Sequence, residues 1–200
     1  MAGKSHEAGG MILAWVIANS LGVAAIGAMA LIPPFHTSIP AMLVSSLIIG
    51  LPLGLAQWIA LRRIAPISIL WVLTIPAGLH LGLAAVNSPT LGGILGSLDD
   101  ESVLSLSVAC LTIGLLVGFV QWPLLWGRFA RSWVWPVSSA LALGMGLGLV
   151  LVSDLINQSG LVSIILVLLV YATATGLAIS WMSLPRTKAE SSLVMNQPGT

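Results

Sequence analysis

The chain has 200 residues, of which 58% are hydrophobic and only 6% charged, and its mean hydropathy is +1.06. These values exclude a water-soluble domain of this length and indicate a protein whose solvent is the lipid bilayer. The net charge of +1 provides no basic patch for nucleic acid. Cys110 is the single cysteine, so an intrachain disulfide is also excluded.

Six hydrophobic segments follow in chain order, each near the ~20 residues needed to cross a membrane. We predict spans at about 11–32, 39–61, 66–86, 103–126, 133–152 and 161–182. Residues 1–10 form a polar segment before them, and residues 184–200 form a polar tail that we expect to be disordered. The predicted fold class is therefore an all-α membrane protein with six transmembrane helices.

Local features modify this outline. The first segment ends in Ala-Met-Ala at 28–30, like a signal-peptidase site, but its apolar run exceeds the ~7–15 residues of a signal core, so we expect it to be retained. Pro52 and Pro76 lie inside spans and predict kinks. Residues 87–102 have apolar residues at helical spacing and predict a short surface helix. The acidic residues at 99–101 then stand where carboxylates stabilise a helix N-terminus.

The distribution of charge predicts the orientation. All seven Lys and Arg residues fall on the side that holds both termini and the short connections after the second and fourth spans. The opposite side has no basic residue and carries Asp99, Asp100, Glu101 and Asp154. Because Lys and Arg in short loops stay cytoplasmic, we expect both termini in the cytoplasm and the six spans arranged as three hairpins.

An internal repeat organises the middle of the chain. A framework of small, polar and aromatic residues recurs 64 residues later: Gly50, Gly54, Gln57, Trp58, Leu61 and Trp71 return as Gly114, Gly118, Gln121, Trp122, Leu125 and Trp135. Glycines four residues apart allow membrane helices to approach closely. The sixth span keeps a weaker copy around Gly176 and Trp181, so the hairpins are predicted to be parallel repeats.

The repeated Gln and Trp residues form the candidate functional layer. All eight tryptophans lie near the predicted cytoplasmic boundary, whereas an aromatic belt usually lines both boundaries. In one interpretation the glutamines bridge helices and the tryptophans anchor at the headgroups. In the other, the layer is a cytoplasm-facing pocket for a lipid headgroup, a pigment or a partner's helix. The candidate binding residues are Gln57, Trp58, Arg62, Trp71, Gln121, Trp122 and Trp135.

Two polar residues lie deeper in predicted spans. His80 is either a core residue that donates to a nearby carbonyl or an intramembrane ligand or proton relay. Asn19 predicts an interhelical hydrogen bond.

No catalytic constellation, metal-ligand cluster or phosphate loop is present in the sequence, so we expect no enzymatic activity. We interpret the chain as an accessory or scaffold subunit that binds membrane lipid or a chlorophyll-type pigment, within a larger membrane complex. The alternative is a small-solute transporter or channel, which needs polar groups along a path.

The repeated framework Gly-x-x-x-Gly-x-x-Gln-Trp-x-x-Leu-Arg resembles that of a group of uncharacterised polytopic bacterial membrane proteins, many from photosynthetic lineages. The resemblance covers about residues 11–185. The second copy departs from the pattern with Pro123, and with Trp126 where Arg62 stands in the first. The resemblance implies a multi-pass protein of a bacterial inner membrane, cytoplasmic or thylakoid, and implies no particular activity.

Overall fold

The computed structural model describes residues 10, 13–20, 39–97, 103–157 and 160–183, with side chains at 10, 13–20, 40–97, 104–105, 107–145 and 169–183. Every regular element in these ranges is helical, which confirms the all-α class for this part of the chain. The elements are α1 (13–20), α2 (Ile39–Leu61), α3 (Trp71–Val86), α4 (Pro89–Ser97), α5 (Val103–Leu125), α6 (Val134–Asn157) and α7 (Gly160–Met182). The predictions for the acidic residues at 99–101, the polar segment at 1–9 and the tail at 184–200 lie outside the described residues.

The long helices form a ring. Moving around it, α2 packs on α3, α3 on α5, α5 on α6, and α6 on α7. Helix α1 closes the ring, because Trp15 is hydrogen-bonded to Thr175 of α7 and Asn19 to Gln57 of α2. The first and last described helices are therefore neighbours.

The glycines of the repeat lie where two helices of a hairpin approach closely. A Cβ added at Gly50 would lie 2.5 Å from the backbone nitrogen of Pro76, and one at Gly54 would lie 2.6 Å from the Val72 carbonyl oxygen. At the positions 64 residues on, a Cβ at Gly114 would lie 2.9 Å from the Cα of Ala140, and one at Gly118 would lie 2.6 Å from that of Pro136. The contacts of α2 with α3 thus recur between α5 and α6 at equivalent residues.

Helix α3 begins at Trp71, five residues later than the predicted start at Pro66. The Trp58 indole donates its Nε1–H to the Ile67 carbonyl over 3.1 Å, and this carbonyl would accept the Trp71 N–H in a continuous helix. The Trp71 N–H bonds the Ser68 carbonyl instead, in a tighter turn. A side-chain hydrogen bond therefore delays the helix start.

The predicted short helix between the third and fourth spans is present as α4. Ser88 caps it by accepting the Leu91 N–H at 3.2 Å, and Pro89 takes the first helical position, where no N–H is needed. Its Leu95 is buried, whereas Ile94 is 54% exposed. Helices α3 and α4 meet at a bend of 62°.

Two described stretches are long and apolar enough to cross a membrane, Pro40–Leu61 and Ser107–Leu125. The bent pair α3 and α4 adds a third if it is counted as one broken span. This is fewer than the six spans expected. Helix α3 alone has 16 residues. Helices α6 and α7 have 24 and 23 residues, and the parts of them with described side chains are the apolar stretches Val134–Met145 and Leu169–Met182.

Candidate functional site

Three tryptophans meet inside the ring of helices. Trp15, Trp71 and Trp135 come from α1, α3 and α6, and none is more than 2% exposed. The Trp135 ring centroid lies 5.9 Å from that of Trp15 and 5.9 Å from that of Trp71, at interplanar angles of 77° and 56°. Such edge and tilted contacts are favourable for aromatic rings. Around them pack Leu61, Leu125, Ile179 and Met182, so this layer is the hydrophobic core.

Each of these indoles donates its N–H to a side-chain oxygen on a neighbouring helix. Trp71 Nε1 donates to Gln57 Oε1 at 3.3 Å, and Trp135 Nε1 donates to Gln121 Oε1 at 2.8 Å. The third indole, of Trp15, donates to Thr175 Oγ1 at 3.0 Å. Since a buried indole N–H needs an acceptor, the repeated glutamines satisfy the tryptophans of their own hairpins.

Gln57 also links α2 to α1. Its Nε2 donates to Asn19 Oδ1 at 2.7 Å, and the Asn19 Nδ2 donates to the Trp15 carbonyl at 2.8 Å. The interhelical hydrogen bond predicted for Asn19 is confirmed, and Gln57 belongs to a network that spans three helices.

Gln121 is less well satisfied than Gln57. Both side chains are fully buried, but Gln121 Nε2 has no hydrogen-bond partner in the described part of the chain. Asn19 lies four residues after Trp15, whereas the residue four after Trp71 is Ile75, which has no acceptor to offer. The hydroxyl of Ser139, four residues after Trp135, also has no partner among the described residues.

The candidate residues thus divide into two groups. Gln57, Trp71, Gln121 and Trp135 are fully buried and contact other parts of the chain, in accord with the interpretation in which glutamines bridge helices. Trp58, Trp122 and Arg62 lie at the periphery: the two tryptophans are half-buried and the arginine is exposed. Only this second group presents surface to a ligand or partner.

Arg62 and Trp126 occupy equivalent positions and make equivalent contacts. The Arg62 guanidinium lies 4.7 Å from the centroid of the Trp58 ring. The Trp126 ring lies 5.0 Å from the Trp122 ring, at 32°. A planar group stacks on the tryptophan four residues earlier in both copies, so the departure from the repeat preserves the contact.

The turn after α5 forms an exposed aromatic surface beside these residues. Trp126 is 65% exposed and Trp133 is 60% exposed. With Trp122, Phe129 and Ser132 they line a cavity of about 560 Å³. Arg128 links this turn to the turn after α2, because its Nε–H donates to the Pro66 carbonyl at 3.2 Å. We call Trp58, Trp122, Trp126, Trp133, Trp181 and the four arginines at 62, 63, 128 and 131 the rim.

His80 lies on α3 away from the three-tryptophan core. The residue is half-buried, and its Nδ1 is buried without a hydrogen-bond partner among the described residues. Across the same part of the chain, no group of three or more His, Cys, Asp or Glu side chains is placed to bind a metal ion.

The sequence analysis did not identify Thr175. The available signal was that Trp71 and Trp135 each stand 14 residues after a glutamine, whereas the residue 14 before Trp15 is Met1, so the Trp15 indole needs a different acceptor. Fold and site together describe an all-α bundle around an aromatic core. No protein-family model matches the chain, and comparisons with curated proteins and with solved structures find no match either.

Proposed function

We propose that the chain is a multi-pass membrane protein with six spans in three hairpins and both termini in the cytoplasm. Support comes from the two or three helices that are long and apolar enough to cross a membrane. The described arginines at 62, 63, 128 and 131 all lie in the turns after α2 and α5, which are the turns that the charge pattern assigns to the cytoplasm.

The helix pairs α2–α3 and α5–α6 are parallel repeat units, and α7 with α1 forms the third unit. The indole of α3 bonds α2 and the indole of α6 bonds α5, and in the same way the indole of α1 bonds α7. The third unit is divided between the two ends of the chain. This arrangement explains why the sixth span carries no Gln-Trp copy, since Thr175 takes the role of the glutamine.

The protein acts as a non-catalytic accessory or scaffold subunit that holds a lipid, a pigment or a partner's helix at its cytoplasmic side. One observation carries this proposal: the interior at that side is closed by three buried indoles, while tryptophans and arginines are exposed around it. Aromatic and arginine side chains are enriched where proteins bind partners. The ligand therefore binds at the rim rather than among the buried glutamines.

The test is purification of the full chain in mild detergent, with identification of the lipid, pigment or polypeptide that accompanies it. We expect the paired change Trp126→Ala and Trp133→Ala to remove this molecule. Val137→Ala, at a residue 48% exposed outside the rim, serves as the control and should retain it. If the rim variant keeps the molecule and stays folded, the rim is not the binding surface.

A transporter is the second candidate, because three buried polar atoms lack partners among the described residues: His80 Nδ1, Gln121 Nε2 and Ser139 Oγ. Polar groups of this kind line solute paths. Flux of protons and small solutes into vesicles containing the protein separates the two functions. A scaffold gives no flux above empty vesicles, whereas a transporter gives flux that His80→Leu reduces.

A further inference from the structure

A groove separates α1 from α2 on the outside of the ring. Its volume is about 520 Å³, within the ~300–1,000 Å³ of ordinary ligand sites. Its walls are apolar and include Ala14 and Ala18 of α1 and Ala56 and Ala60 of α2. Among the described residues that line it, Arg63 alone is charged. The groove is therefore an apolar space with the cationic side chain of Arg63 at its edge.

Four of the residues that line the groove are alanines, and Leu13, Ile17 and Ile59 complete its apolar walls. The positions 56 residues after Ala14 and Ala18 hold Leu70, immediately before α3, and Thr74 within it. The equivalent positions on α5, 64 residues after Ala56 and Ala60, hold Val120 and Leu124. All four replacements are larger, so the repeat can be built with a filled junction at this place. The small residues at the α1–α2 junction therefore distinguish it from the α3–α5 junction, where larger residues occupy the equivalent positions.

Arg63 differs from the other described arginines. Arg62 stacks on Trp58, Arg128 donates to the carbonyls of Pro66 and Leu124, and Arg131 lies over Trp181. Arg63 is exposed; its backbone N–H bonds the Ala60 carbonyl at 3.3 Å, and its guanidinium has no hydrogen bond, ion pair or ring contact within the described residues. No Asp or Glu occurs among the residues whose side chains are described, so none of them neutralises it.

The turn itself does not need a cation at this place. The residue equivalent to Arg63 in the second copy is Gly127, which has no side chain and φ of 78°. Arg63 is thus a charged side chain beside an apolar groove, with no role in the turn and no counterion in the described chain. An anion attached to a long apolar group complements both features.

We propose that the groove binds an anionic phospholipid, with an acyl chain along the four alanines and the phosphate at the Arg63 guanidinium. This inference rests on the proposed membrane location. It deepens the proposed function by naming the lipid class and by placing a site at the α1–α2 junction. A neutral lipid would fill the same groove but would leave the guanidinium without a counterion.

The experiment uses the full chain in detergent, mixed with equal amounts of phosphatidylglycerol and phosphatidylcholine of identical acyl chains. Native mass spectrometry measures the lipid that remains bound. We expect about fivefold preference for phosphatidylglycerol, the effect of one basic side chain near an anionic headgroup. Arg63→Gln should abolish the preference. Arg186→Gln has the same charge change in the tail after α7, outside the rim, and should retain it.

A second pair of variants tests the groove. Ala60→Leu and Ala56→Val introduce the residues found at the equivalent positions of α5 and should weaken binding of both lipids. Loss of the preference in Arg186→Gln as large as in Arg63→Gln overturns the proposal, because general surface charge then explains it. Unchanged lipid binding in both folded groove variants overturns it too. So does displacement of the lipid by excess inorganic phosphate, which would mean that only the phosphate is bound.

The membrane location is tested separately, by measuring whether alkaline carbonate releases the chain from membranes. A chain released by carbonate contradicts the proposed function itself. A chain that resists carbonate but shows no lipid preference contradicts only the lipid site.

Discussion

Gln57 and Gln121 accept the same indole hydrogen bond but differ at their amide nitrogens. Gln57 Nε2 donates to Asn19, whereas Gln121 Nε2 has no partner in the described part of the chain. The sequence repeat makes the two residues look interchangeable. In the structure they differ, because α1 offers Asn19 to Gln57, whereas α3 has Ile75 at the position equivalent to Asn19.

This difference predicts unequal effects on stability. Gln57→Leu removes the acceptor of Trp71 and the donor to Asn19, while Gln121→Leu removes one hydrogen bond and an unsatisfied donor. We expect Gln57→Leu to lower the free energy of unfolding by about 1 kcal/mol more than Gln121→Leu. Unfolding of the purified variants by SDS titration in detergent measures this. Equal losses would contradict the described network.

A second prediction concerns the hydrogen bond between Trp15 and Thr175. Thr175→Val keeps the shape but leaves the Trp15 indole N–H without its acceptor, and Trp15→Phe removes the donor. A double-mutant cycle of the two changes should give a coupling energy of about 0.6–1.7 kcal/mol, the range for interhelical hydrogen bonds in membranes. The same unfolding titration supplies the four free energies. A coupling near zero would mean that α1 and α7 are not joined as described.

Third, the close approach of α2 and α3 predicts intolerance of a methyl group at Gly54. An added Cβ would lie 2.6 Å from the Val72 carbonyl oxygen, so the helices would have to separate. We expect Gly54→Ala to cost about 1–3 kcal/mol. Gly93→Ala is the control, because a Cβ there has no atom within 4 Å and alanine favours the helix. The midpoint of thermal unfolding should fall for Gly54→Ala and not for Gly93→Ala.

Fourth, the proposed topology predicts the sides of two sites. A reporter placed at Gly96 of α4 should lie outside the cytoplasm, and one fused after Thr200 should lie inside, because the basic residues mark the cytoplasmic side. Paired alkaline phosphatase and fluorescent-protein fusions read the two compartments. Cytoplasmic signals from both sites would require an even number of crossings between them and would contradict the three proposed here.

The sequence predicts the helices better than it predicts their hydrogen-bond partners. Hydropathy and bounding prolines predicted a helix at 39–61, and the structure has Ile39–Leu61. The start of α3 was misjudged, because the bond from Trp58 to the Ile67 carbonyl is a side-chain contact that hydropathy does not contain.

The candidate site was predictable in its residue types but not in its exposure. Spacing marks Gln57 and Trp71 as belonging together, yet it does not tell whether their polar groups meet each other or a ligand. The pairing of Trp15 with Thr175 was missed because a threonine replaces the repeated glutamine. The weaker copy in the last span concealed the unit that closes the ring.

The link between Trp15 and Thr175 has a consequence for the order of assembly on the ribosome. The two residues are separated by 160 positions, which at ~5–20 residues per second corresponds to roughly 10–30 s of synthesis. Gln57 emerges much sooner, only 38 residues after Asn19. The nascent chain can therefore pack α1 on α2 early, through the side-chain amides of Asn19 and Gln57. The acceptor of the Trp15 indole, Thr175, is synthesised only near the end of translation.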